Sequence, residues 1–66
     1  MKKVTLSTRT LGKKARKEVL NLLPSAKFIK KFFVAEVGYV HFFKDVDLNI
    51  LGKVFMEEGQ AKLMIN

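Results

Sequence analysis

Five cations, Arg9, Lys13, Lys14, Arg16 and Lys17, lie within nine residues, and the first 33 residues hold ten Lys and Arg against a single acid, Glu18. That half carries a net charge of +9 and residues 34–66 one of −2, which together make the +7 of the chain. A concentrated positive field draws polyanions and raises their encounter rate. The chemistry this suggests is phosphate recognition. Lysines in the first turn of a helix oppose its macrodipole, so such a helix start is costly unless it holds an anion. Free backbone N–H groups at the helix end and the flexible Gly12 would let a phosphate approach closely. A solvated basic helix face is the plainer account of the same cluster.

Candidates for catalysis are sparse. His41 is the single histidine and cysteine is absent, so thiolate zinc sites, disulfides and thiol nucleophiles are excluded. Asp45 and Asp47 read as a turn residue and a helix cap rather than a catalytic pair. Glu57 and Glu58 read as an exposed helix end. The stretch Ser7–Lys14 places Gly12-Lys13 between a strand and a helix, as a P-loop would. Ser7 stands where its first glycine belongs, however, and Lys14 where its metal-binding hydroxyl belongs. A non-enzymatic protein without cofactor or metal is expected.

The elements that must carry these residues fit one domain of 66 residues. A chain this short buries only about 60% of its unfolded surface, so its core is marginal and a homodimer interface would help it. Residues 2–8 alternate as a strand with Val4 and Leu6 inward. Leu11, Ala15, Val19, Leu22 and Leu23 form one helical stripe, with Thr10 as N-cap and Pro24 as terminator. Residues 26–36 suit either a strand or a cationic amphipathic helix that could lie on an anionic membrane. Aromatic and β-branched enrichment favours the strand. Residues 39–44 read as its partner strand. Over 47–58 the spacing of Leu48, Leu51 and Phe55 predicts a second helix, capped by Asp47, stapled by Val46 on Leu51 and closed by Gly59. A hairpin turning at Glu57–Gln60 competes with that helix. Residues 60–65 alternate as a last strand with Ala61, Leu63 and Ile65 inward.

The resulting order is βαββαβ, a ferredoxin-like α+β fold with two helices on one face of a four-stranded antiparallel sheet. In that frame Lys3, Thr5, Ser7, Tyr39, His41, Phe43, Lys62 and Met64 occupy the open face. Bases could stack on Tyr39, His41 and Phe43 there, while lysines take phosphates. A flipped register of the central strand would instead place those three rings in the core and expose Val40 and Phe42.

Val37-Gly38-Tyr39-Val40-His41-Phe42 resembles the third-strand signature of the RNA recognition motif, with Tyr39 and His41 at its two stacking positions. Val37 replaces that family's basic residue, His41 replaces a hydrocarbon ring, and Thr5 stands where the first strand usually offers an aromatic. The resemblance implies single-stranded RNA or DNA binding. Arg9 lies where the acylphosphatases, which share that fold, hold phosphate, but no strand asparagine accompanies it. The expected nucleic-acid contacts are Lys3, Arg9, Lys13, Lys14, Arg16, Lys17, Lys30, Lys31, Tyr39, His41 and Phe43. The alternative is a small basic module or inhibitor, of the kind viruses and plasmids encode, acting on an acidic or nucleic-acid-binding protein. No apolar stretch is long enough to span a membrane, and the N-terminus lacks a signal-peptide core, so a cytoplasmic location is expected.

Overall fold

A computed structural model describes residues 2–66. The order is β1 (Lys2–Thr5), α1 (Lys13–Leu22), β2 (Ala26–Val34), β3 (Gly38–Asp45), β4 (Ile50–Glu57) and β5 (Gln60–Ile65). These strands form one five-stranded antiparallel sheet in the order β1-β5-β4-β3-β2, with a single helix. The expected four-stranded, two-helix ferredoxin-like arrangement is therefore wrong. So is the second helix over 47–58, where the chain forms β4.

Local physics explains the exchange. The apolar stripe of Leu48, Leu51 and Phe55 holds only three positions, whereas 50–57 also alternates. Ile50, Gly52, Val54 and Met56 face one side, and Leu51, Lys53, Phe55 and Glu57 the other. A helix would carry Gly52 in its interior, at a cost of about 1 kcal/mol, and Glu57-Glu58 at its unfavourable end. The hairpin uses these residues better. Glu58 and Gly59 both take positive φ, 55° and 79°, the geometry of a type I′ turn. Val46, the supposed staple, is exposed, and the Asp47 carboxylate accepts a hydrogen bond from Ser25 Oγ at 2.7 Å instead of capping a helix. Asp45 does serve the turn, its Oδ1 accepting from the Leu48 amide at 3.1 Å.

Because β1 and β2 lie at opposite edges, α1 crosses one face of the sheet between them. Ala15 and Val19 are its buried residues, and with Leu6, Leu23, Ala26, Phe43, Val54, Ala61 and Leu63 they make the core. Gly12, at φ 136°, occupies the N-cap position in place of Thr10, whose amide bonds Thr8 Oγ1. With no side-chain cap and no acid in its first turn, the helix start is held indirectly. Glu18 accepts from the Ser7 amide at 2.8 Å and from Ser7 Oγ at 2.9 Å, pinning the β1–α1 loop. The Ser7 backbone bond holds the Glu18 carboxyl below its ordinary pKa.

Register sets the two faces of the sheet. Val4, Leu63 and Val54 fall under the helix with His41 and Phe43, while Lys3, Met64, Lys53 and Phe42 fall on the opposite side. The expected inward set is correct for β1 and β5 and inverted for β3. Phe43 is fully buried, beneath Phe28 at 5.5 Å between centroids and over Gly52. A Cβ on Gly52 would overlap the Phe43 ring and approach the Met64 carbonyl oxygen to 2.9 Å. The bare glycine makes the space that draws Phe43, rather than Phe42, into the core.

Candidate nucleic-acid interface

The antiparallel register brings the end of β1, the start of α1, the β2–β3 loop and the β4–β5 turn to one end of the sheet. Within α1, residues 100° apart along the axis sort into flanks. Arg16 and Leu20 lie on the flank toward β3, Lys14 and Glu18 on the flank toward Ser7, and Lys13 and Lys17 face outward. The helix covers β3 as far as Phe43. Beyond it the β2–β3 hairpin projects, leaving Phe33 65% and Tyr39 53% exposed.

The Arg16 flank of α1 and the projecting hairpin therefore border one stretch of the helix-side surface, the notch, with Arg16 near enough for its charge to act on His41. Phe33 pairs across the strands with Tyr39, edge to face at 5.3 Å between centroids. Lys31 Nζ sits 5.2 Å from the centroid of the Tyr39 ring, a cation–π distance. His41, opposite Lys31, is half-buried and meets Phe28 edge-on at 6.3 Å. Burial first, then the positive charges of Lys31 and Arg16, push the His41 pKa below 6.5. Both charged neighbours that act on His41 are cations.

No family model, curated protein or solved structure matches this chain. The site must stand on its own geometry.

Of the residues expected to contact nucleic acid, the notch collects Arg16, Lys31, Tyr39 and His41. Arg9, Lys13 and Lys17 are exposed at or near the same end of the sheet. Four others do not join them. Phe43 is closed to any base by its complete burial. Lys3 lies on the opposite face in the one salt bridge among the described residues, with Glu57 at 2.9 Å. Lys30 also points to that opposite face, and Lys14 lies on the wrong flank of α1. Tyr39 and His41 stand on the helix side rather than on the open face, so the rings and the basic helix share one surface. The inverted β3 thus unites two features that the ferredoxin-like frame held apart.

Phe33 is the site residue that sequence reasoning missed. Its signal is the run Lys30-Lys31-Phe32-Phe33. In a strand that run sends one lysine and one phenylalanine to each face. No cluster of three or more His, Asp or Glu that could hold a metal occurs among the described residues, and no helix among them is long and apolar enough to cross a membrane.

Proposed function

We propose that this protein binds single-stranded nucleic acid, without catalysis, along the notch between α1 and the β2–β3 hairpin. The observation that carries this reading is the company of Tyr39. Two exposed rings stand beside Lys31, next to a half-buried histidine on which the charges of Lys31 and Arg16 act and no acid does. Bases stack on Phe33 and Tyr39, each contributing about 1–3 kcal/mol. Phosphates meet Lys31 and Arg16, and the outward Lys13 and Lys17 extend the positive path along the helix. An exposed ring has a face for any base, so affinity is broad in sequence and steep in salt.

Titration of labelled single-stranded RNA, single-stranded DNA and duplex DNA at several salt concentrations tests the reading. Submicromolar binding near 150 mM salt, preferring single strands, is the expected result on the order of other stacking platforms. Charge reversal at Arg16 and Lys31 lowers affinity for every sequence and flattens the salt dependence. Equal binding by that variant refutes the notch.

A second reading has one feature in its favour. β2 is an edge strand whose outer backbone groups are unpaired and whose Ile29, Phe32 and Phe33 are exposed. A protein partner could add a strand there. Under that reading, truncating Phe33 and Tyr39 abolishes partner capture and leaves nucleic-acid retention unchanged.

A further inference from the structure

The face of the sheet away from the helix carries its own aromatic and cationic set. A groove of about 390 Å³ there is floored by Ile29, Phe32, Phe42, Leu51 and Met64, with Lys30 and Lys53 as its charged lining. Phe32 and Phe42 meet edge to face at 5.6 Å, and Lys30 Nζ stands 5.6 Å from the Phe32 centroid. This repeats, on the other side of the same hairpin, the pairing of Phe33, Tyr39 and Lys31. Register sets Lys27 directly opposite Lys44 on this face as well. Like charges facing each other across strands cost stability, and an anion between them would relieve that cost. The acid reaching this side, Glu57, is occupied by Lys3. A second copy of the chain would bring these lysines against their own kind across a two-fold axis. The charge pattern instead calls for a polyanion with apolar faces.

We infer that the open face binds a second single strand of nucleic acid, so that one chain holds two strands on opposite sides of the β2–β3 hairpin and accelerates their annealing. This rests on the reading of the notch given above. Its physical basis is that side-chain cations on both faces neutralise strand phosphates and so lower the repulsion between two strands, while ring-held bases stay unpaired and available. Annealing forms only base pairs and consumes nothing, so no co-reactant is needed.

Two measurements test it. The first is the stoichiometry of a labelled oligothymidylate of roughly eight nucleotides, within the span of one small binding platform. Two strands per chain are expected, and one strand per chain at saturation overturns the inference while leaving the notch intact. The second is the annealing rate of two complementary labelled strands, followed by energy transfer. Acceleration of about tenfold or more over the protein-free rate is expected from neutralised backbone charge. Lys53→Gln should lower that acceleration about fivefold while Lys2→Gln, which removes an equal charge outside the groove, changes it less than twofold. Equal effects of the two substitutions would reduce the acceleration to generic charge and sink the inference. Sedimentation of the free protein provides the remaining arm, since a dimer closed through this face also overturns it. Failure to bind any strand refutes both readings together, whereas one-strand binding refutes only this one.

Discussion

The half of the sheet beneath α1 and the projecting end of the β2–β3 hairpin are built from similar residues and treat them oppositely. Phe43 is wholly buried against Phe28 and Gly52, whereas Phe33, on the same face of the sheet, is about two-thirds exposed. Val54, Leu63 and Val19 close the covered half, while Val34, Val37 and Tyr39 remain open at the other. The difference follows from reach. A ten-residue helix can roof only part of a sheet whose second strand is nine residues long. The unroofed part keeps its rings in water, beside Lys31, which makes no salt bridge among the described residues. One region holds the fold together, and the other is free to bind.

The largest effect that could break this contrast lies in the covered half. Phe43→Ala removes the largest fully buried side chain and should cost about 3–5 kcal/mol. A domain of this size is stable by only roughly 3–10 kcal/mol, so the variant should be largely unfolded at 37 °C by circular dichroism. Next comes Gly52→Ala, which forces the Phe43 ring or the Met64 backbone to move and should cost about 1–3 kcal/mol in urea unfolding. A neutral or stabilising Gly52→Ala would mean that Phe43 is not held as described.

The projecting half should respond the other way. Tyr39→Ala should change stability by less than about 0.5 kcal/mol, as an exposed substitution, yet weaken single-strand binding by about 1–3 kcal/mol. Thermal melting and fluorescence anisotropy on the same sample separate the two quantities. If Tyr39→Ala melts the protein as Phe43→Ala does, the hairpin end is structural and the contrast fails.

Much of this division was legible in the chain, and its limits have physical causes. The strand at 60–65, the inward residues of β1 and β5, and Ala15, Val19 and Leu23 of the helical stripe follow from alternation and helical spacing alone, whereas Leu22 of that stripe is exposed. The 50–57 segment did not, because Leu51 and Phe55 satisfy a helical stripe while Ile50, Val54 and Met56 satisfy a strand. Gly59 suits a helix terminus and a tight turn equally well. Only pairing with β3 and β5 decides between them. The facing of β3 was hidden for a related reason: Tyr39-Val40-His41-Phe42-Phe43 is apolar or aromatic on both faces. The choice depends on Gly52 of the neighbouring strand, which has no side chain to oppose Phe43. At the notch, the basic helix start and the tyrosine–histidine pair were each visible. Their union on one surface was not, since it follows from the inverted face of β3.

The smallest effect is also the most discriminating about His41. Its pKa is lowered in the folded protein by burial and then by Lys31 and Arg16, so the unfolded chain binds the proton more readily. The stability contribution is therefore fully present above the ordinary value of 6.5 and is lost as pH falls from there through the lower folded value. His41→Gln should flatten that part of the stability profile. A bound phosphate shifts the local balance, because an anion beside Lys31 and Arg16 offsets the repulsion that adds to burial in keeping the imidazole neutral. Single-strand affinity should accordingly rise modestly as pH drops from 7.5 toward 5.5, by about two- to tenfold for one added charge–phosphate contact. The same substitution should remove that rise and leave affinity at pH 7.5 nearly unchanged. An affinity that rises equally in His41→Gln would assign the pH response to some other group and place the phosphate away from the notch.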